Sequence, residues 1–354
     1  MKIYGVIMAG GGGTRFWPLS REERPKQLLN LSGKNLMINE TIDRVASVIP
    51  KKDIFIVTNS VQFEAMKQAT NGRIEEKHIL KEPVGRNTSA CIGYAAMEIV
   101  KKYGDGIMCI FPADHHIKYE IEFSRILQEA IKVATSYDRL VTIGITPTFA
   151  ATGYGYIKYM QSEAVAKEVV EFKEKPDSDT AKKYFESGEY AWNSGMFIWR
   201  ASTILKKFKE LLPEIYNCIE QMGIAMKTDS EYDVIEEIYP KMPSISIDYG
   251  IMEKSKDVVV IPADIGWSDV GSFDSLGSVC SEDEKHNIIF GSSINLDTKN
   301  SVIYGGDKLI ATIGINNLVI INSENAILVC DKNNSQDVKK IVDILKEQGK
   351  DEYL

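Results

Sequence analysis

Four consecutive glycines, Gly10, Gly11, Gly12 and Gly13, follow an apolar run at residues 3–9 and are followed by Thr14 and a set of cations, Arg15, Arg21, Arg24 and Lys26. Glycine accepts backbone angles closed to other residues and leaves its N–H open to an anion. Backbone N–H groups would hold phosphate oxygens, while Arg15 and Lys26 neutralise the charge that grows as a leaving group departs. A flexible turn carrying a solvated charge run is the plainer alternative. The apolar run is too short for a signal-peptide core and has no small-residue cleavage pattern behind it, so it reads as a buried strand feeding the loop. Two familiar phosphate loops are excluded. No Gly-Lys-Ser/Thr follows the glycines, and G-x-G-x-x-G meets Arg15 or Phe16 where its third glycine belongs. A dinucleotide-dependent oxidoreductase therefore fits poorly.

Further residues of chemical interest lie downstream. "KEPVGRNTSA" sets Glu82 at a strand end and Asn87-Thr88 at a helix start, where an N-cap is their ordinary role. "FPADHHI" ends a buried strand in Asp114, a turn residue or a metal ligand. "TGYGYIKY" flanks Tyr154 with glycines, as expected where backbone is brought close to a ligand. "EFKEKP" places Glu174 beside Lys175, "WNSGMF" places Asn193 beside Gly195, and "DIGWSDVGSF" supplies a second lone carboxylate, Asp269. His115 and His116 are two of only 4 histidines, so a histidine-built metal centre is not expected and both read as structural.

The elements that must hold these residues alternate. Strand candidates "IYGVIMAG", "DIFIVTN", "KHILKEP", "GIMCIFPAD" and "RLVTIGITP" are separated by helix-period segments such as "LMINETIDRVASVI" and "SACIGYAAMEIVKKYG". This is the pattern of β-α units: an α/β fold with a Rossmann-like, mostly parallel sheet flanked by helices. Ligands of such sheets sit beyond the carboxyl ends of the strands, which puts the glycine loop, Glu82 and Asp114 along one edge. Beyond residue 153 the pattern is mixed. "GYGYIKYM", "VVEFKEKP" and "AWNSGMFIWRA" read as strands, and "SDTAKKYFESG" as a helix with a serine N-cap and a glycine stop. After Cys280 short Ile/Val/Asn-rich strands are split by turn residues, and an amphipathic helix follows. We expect a catalytic domain over 1–280 and, over 281–354, a small β-rich, partly β-helix-like domain with a terminal helix.

With 354 residues and 44% apolar content the chain can bury a large core. No apolar run approaches the roughly 18 residues of a membrane span. A net charge of −8 argues against nonspecific binding to nucleic acid or to an anionic membrane. The five cysteines are scattered without a C-x-x-C pair, which reads as free thiols in a reducing cytoplasm.

In this order the motifs resemble the sugar-phosphate nucleotidyltransferases, and more narrowly the mannose-1-phosphate guanylyltransferase family. "GGGGTRFWPLSREERPKQ", "EPVGRNTSA", "FPADHHI", "TGYGYI", "FKEKPD", "WNSGMF", "SIDYGIMEKS" and "GWSDVGSF" match its pattern. The family's loop usually has leucine where Phe16 stands and tryptophan where Phe273 stands. The resemblance implies synthesis of GDP-mannose and pyrophosphate from GTP and mannose 1-phosphate, with Asp114 and Asp269 as ligands of Mg²⁺. It implies that Arg15 and Lys26 steady the triphosphate, Lys175 binds the sugar phosphate, and Gly155, Glu174 and Asn193 contact mannose. Residues 10–14, Asn87 and Thr88 fall to the nucleotide, with Glu82, or backbone carbonyls in its place, reading guanine. Some relatives carry an isomerase domain, which we do not expect here, and the β-rich tail is expected to contribute to a homodimer. A transferase for another nucleotide or hexose phosphate is the near alternative. A non-catalytic sugar-nucleotide sensor is the distant one, since such a protein would be expected to lose Arg15 or a metal carboxylate, and this chain keeps all three.

Overall fold

The computed structural model describes residues 1–354. Its centre is a nine-stranded sheet. Strands β1 (Lys2–Met8), β2 (Ile54–Asn59), β3 (Ile79–Glu82) and β4 (Gly106–Pro112) come first; β5 (His116–Ile117) lies outside the sheet. Then come β6 (Leu140–Ile145), β7 (Tyr156–Tyr159), β8 (Lys167–Lys173), β9 (Tyr190–Arg200) and β10 (Val258–Ala263). The order across the sheet is β3-β2-β1-β4-β9-β6-β10-β8-β7. β1 to β4 pair in parallel, as do β6 and β10, but β9 runs antiparallel to both β4 and β6. The sheet is therefore mixed where the sequence predicts it mostly parallel. Apolar runs buried on both faces look alike whichever way the strand points, so direction is invisible in them.

Alternate residues feed two cores. Ile7, Ile56 and Phe111 face one core, which takes in Ile42 of helix α1 (Met37–Ala46), Met66 of α2 (Phe63–Ala69) and, beyond α3, Leu127 of α4 (Glu120–Ser136). Val6, Val57 and Ile110 face the other, with α3 (Asn87–Lys102) and, beyond α5 (Ser178–Ser187), α6 (Ala201–Leu211), α7 (Pro213–Ala225) and α8 (Glu231–Ile238). α5 is capped by Asp177, whose carboxylate accepts from the Thr180 N–H at 2.9 Å, rather than by Ser178. Gly188 ends it in the left-handed region, as the sequence predicts.

The tail is a stack of short strands. β11 (Trp267–Ser268) pairs with β5; β12 (Ile288–Phe290), β14 (Val302–Tyr304) and β16 (Leu318–Asn322) then pile up in parallel, with β17 (Ile327–Asp331) antiparallel at the edge. β13 (Ser293–Leu296) and β15 (Ile310–Ile313) form a second wall. The Asn-rich texture has a geometric reason: Asn300 and Asn317 take positive φ at the corners, as do Gly306 and Gly314. A third core joins this stack and helix α9 (Val338–Glu347) to Phe16, Trp17 and Phe273 of the main body. No helix is long and apolar enough to cross a membrane, and all five cysteines are free.

Candidate active site

β1, β3 and β4 deliver the glycine loop, Glu82 and Asp114 to the same sheet edge, as their sequence order predicts. The loop is built as an anion cradle. Its carbonyls are tied back: Gly10 O accepts from Asn59, Gly11 O from Gln27 and Gln62, and Gly13 O from Ser20. The N–H groups of Gly10, Gly11, Gly12 and Gly13 donate to no other group of the protein. Gly13 sits at φ 59°, and a Cβ there would lie 2.4 Å from Lys26 Cβ, so only glycine lets the loop close onto the Lys26 segment. Gln27 and Gln62, both buried, are framework residues that the sequence reading missed.

Beside the cradle, a cavity of about 230 Å³ is lined by Gly13, Thr14, Arg15, Lys26, Asp114, His115 and Asp269. The two lone carboxylates, far apart in the chain, thus meet. Lys26 is buried, and its Nζ donates to Asp114 Oδ2 at 2.9 Å and to the Asp269 carbonyl at 2.5 Å. Burial pushes the Asp114 carboxyl up, but the Lys26 ammonium, by charge and by hydrogen bond, with the neighbouring His115, outweighs it and holds its pKa below the ordinary value. Tyr154 donates to Asp269 Oδ1 at 2.9 Å; burial and that carboxylate raise its own pKa, so it stays a donor. The second oxygen of each carboxylate accepts from no other residue. No group of three or more His, Cys, Asp or Glu side chains is arranged to hold a metal ion by protein ligands alone. Two hard carboxylates with room for phosphate and water oxygens suit Mg²⁺, which keeps several waters, better than a metal caged by protein alone. Arg15 is exposed, its Nη1 3.3 Å from the Gly271 carbonyl that accepts from it. His115 Nδ1 accepts from Trp267 at 3.1 Å.

A second cavity, of about 370 Å³, opens on the other side of Gly10 and Gly11 and is lined by Glu82, Gly85, Arg86, Asn87, Thr88, Cys91 and Asp248. Glu82 is buried. It accepts from the Tyr239 hydroxyl, and burial raises its pKa to about 7. Neither Asn87 nor Thr88 caps α3. The N-cap position belongs to Arg86, Asn87 sits at φ 64° with its side chain on the Thr88 N–H, and Thr88 Oγ1 accepts from the Ile247 N–H at 2.8 Å.

That last bond fastens the π-helical turn Asp248–Met252, a rare geometry frequent at functional sites, and the turn carries Asp248 toward Asn193. Asn193 Nδ2 donates to Asp248 Oδ1 at 2.7 Å, while Asn193 Oδ1 accepts from the Gly195 N–H at 3.1 Å. The amide is locked in one orientation with one N–H and one lone pair left over. Glu174 stands beside this pair, with Lys175 Nζ 3.1 Å from its Oε1. A Cβ on Gly155 would lie 2.4 Å from Glu174 Oε2 and push that carboxylate aside, whereas Gly153 has open space around it, so only the first of the two bears on the site. Burial and the neighbouring Glu174 raise the Asp248 pKa to about 6. Asp248 lies inside the quoted "SIDYGIMEKS", but nothing in one sequence separates its role from that of its neighbours. Phe16 and Phe273, the two departures from the family pattern, pack edge-to-face with centroids 5.0 Å apart.

Comparison with known proteins agrees with this geometry. Residues 4–286 match the nucleotidyl transferase family, and residues 291–345 match the MannoseP isomerase/GMP-like beta-helix domain. The chain is a nucleotidyltransferase. It is 42% identical to a mannose-1-phosphate guanylyltransferase of Salmonella muenchen, over 99% of this chain and 75% of that one. A mannose-1-phosphate guanylyltransferase of Escherichia coli (strain K12) is 39% identical over the same shares. A crystal structure from Thermus thermophilus, described as a mannose-1-phosphate geranyltransferase, superposes with a TM-score of 0.89 at 32% identity, covering 98% of this chain and 100% of that one. Within the nucleotidyltransferases, the chain belongs to the mannose-1-phosphate guanylyltransferase family.

Proposed function

We infer that the protein joins GTP and mannose 1-phosphate to give GDP-mannose and pyrophosphate. The observation that carries this reading is the glycine loop and what adjoins it: a cradle of unpaired N–H groups, a cavity with two carboxylates and two cations at its Gly13 end, and a nucleoside-sized cavity at its Gly10–Gly11 end. A phosphate oxygen of the sugar phosphate attacks the α-phosphorus of GTP, and the bond from that phosphorus to the bridging oxygen of the β-phosphate breaks. Pyrophosphate leaves with the electron pair. The nucleophile is already anionic at neutral pH, so the step needs no general base, in keeping with a site whose histidines are structural. Positioning and charge neutralisation supply the acceleration.

The free N–H groups of residues 10–13, with Thr14, Arg15 and Lys26, hold the β- and γ-phosphates. Asp114 and Asp269 hold Mg²⁺, which when bound offsets phosphate charge as a Lewis acid. Asn87 and Thr88 form the nucleoside wall, and Glu82, once ionised, accepts from guanine N1–H and N2–H. Lys175 meets the sugar phosphate. Gly155, Glu174 and Asn193 meet mannose hydroxyls, and Asp248 holds Asn193 in place. We assign the chemistry to residues 1–280 and a supporting role, including a homodimer contact, to 281–354. Free thiols throughout suit a cytoplasmic enzyme.

The test is pyrophosphate release by the purified protein with GTP and mannose 1-phosphate, in Mg²⁺ and in EDTA. Release in Mg²⁺ that ceases in EDTA is expected. Release only with another nucleotide or hexose phosphate, or none at all, contradicts the assignment.

A further inference from the structure

Arg21 belongs to the cation run behind the glycines, yet it does not line the cavity of Arg15 and Lys26. Its guanidinium lies over the Trp17 ring, 5.7 Å from the centroid, and Nη2 donates to Ser323 Oγ at 3.2 Å and to Asn325 Oδ1 at 2.8 Å. Both acceptors sit in the turn between β16 and β17. Trp17 itself is buried in the third core, and its indole N–H donates to the Tyr353 carbonyl at 2.7 Å. The tail thus grips the glycine loop within two residues of Arg15. It also grips the other half of the phosphate cavity: Gln336 Nε2 donates to Ser272 Oγ at 2.6 Å, and Ser335 Oγ to Asp274 Oδ1 at 2.9 Å, just beyond Asp269 and Gly271. Between these grips Phe16 packs on Phe273. A cavity of about 280 Å³ on this side of the loop is lined by Gly10, Gly12 and Thr14 together with Trp17, Arg21 and, from α9, Val342 and Lys346.

We propose that the β-rich tail positions the phosphate-binding loop, and that Arg21 is the positioning residue through which it does so, with Asn325 as its partner on the tail. Exposed loop glycines have many backbone states available, and a loop held from behind presents its N–H groups already converged. Arg21 touches no substrate in this reading, which rests on the assignment of the glycine loop to the phosphates. Its effect must therefore fall on phosphate binding and spare the sugar-phosphate end, whose groups lie on β9, the turn at Asp248 and the loops before β7 and after β8, none of them bonded to the tail.

Calorimetric titration with pyrophosphate reads the loop directly and does not depend on which base or sugar the enzyme takes. Arg21→Ala is expected to weaken pyrophosphate binding about tenfold, equivalent to about 1.4 kcal/mol. Asn325→Ala, at an exposed position that leaves the fold intact, is expected to weaken it about threefold, a loss of under 1 kcal/mol. Asn325→Asp keeps an acceptor for the guanidinium while giving up the Nδ2 bond to the Glu352 carbonyl at 2.7 Å, so near-native pyrophosphate binding is expected if the Arg21 contact is the one that matters. The KM for GTP should follow the same order while the KM for mannose 1-phosphate stays within about twofold, below the size of one hydrogen bond. Unchanged pyrophosphate affinity in both alanine variants, even with a lowered melting temperature, makes the clasp a structural contact only and overturns the proposal. A parallel rise in both KM values overturns it as well. A wrong substrate assignment appears instead in wild-type turnover and leaves the binding comparison standing.

Discussion

The two ends of the site are built differently. At the phosphate end the working groups sit on loops, Arg15 is exposed, and the one buried cation, Lys26, is already bonded to the carboxylate and the carbonyl it adjoins. At the sugar end Asn193 sits on β9 and Asp248 on a π-helical turn, with Gly155 just before β7 and Glu174 and Lys175 just after β8. Asn193 is fixed by Asp248 and Gly195, and Glu174 is paired with Lys175. The phosphate end meets charge as it moves from one phosphate to the next with N–H groups and cations already in place. Asn193, on its strand and bonded on both sides of its amide, cannot move far, which is what distinguishing one hydroxyl arrangement from another demands. Rate should therefore come from the first region and selectivity from the second.

Asp269→Asn should break the comparison at the phosphate end most severely. Removing one charge from the carboxylate pair is expected to lower kcat by about 10³, while the retained amide oxygen still accepts from Tyr154 and the melting temperature holds. Near-normal turnover in Mg²⁺ would remove Asp269 from the machinery. Gly155→Ala is the matching break at the sugar end. With its Cβ 2.4 Å from Glu174 Oε2, the carboxylate must shift. A misplacement of that size should cost about 10² in kcat/KM for the sugar phosphate and leave the KM for GTP alone. Lys175→Ala should raise the KM for mannose 1-phosphate about tenfold, the loss of one charge-assisted contact, and equal losses for both substrates would count against its placement.

Glu82→Gln sharpens the boundary between the two ends through stability. The Glu82 pKa is raised from 4.5 to about 7 because burial disfavours its charge. The folded state prefers the proton, so the native protein is fully favoured below pH 4.5 and loses stability as pH rises through 7. That loss is on the order of 3 kcal/mol at about 1.4 kcal/mol per unit. Melting curves at about pH 5 and about pH 8 should show the glutamine variant gaining on the native protein at the higher pH. No change in their difference would mean that Glu82 is ionised in the free enzyme.

Much of this was legible in one sequence because phosphate chemistry needs unusual residues: four glycines in a row, a lysine behind a proline, and carboxylates at strand ends. The β-α alternation placed them on one edge. Other features left no local mark. The direction of β9 is not written in its apolar run. The capping roles expected of Ser178, Asn87 and Thr88 failed because Asp177 stands one residue earlier and because Thr88 is taken by a partner 159 positions away. Gln27, Gln62 and Asp248 act by holding other groups, and such roles depend on tertiary contacts that spacing cannot reveal. The tail's Ile/Val/Asn texture announced short strands and corners, but not that its apolar face would close beneath Phe16 and Trp17.

The most direct measurement compares kcat/KM for mannose 1-phosphate with that for glucose 1-phosphate in two variants, Arg15→Ala and Asn193→Ala. If rate and selectivity are divided as the two ends suggest, Arg15→Ala lowers both values together and preserves their ratio. Asn193→Ala then brings the ratio toward unity. A ratio that collapses in Arg15→Ala and survives in Asn193→Ala would contradict that division.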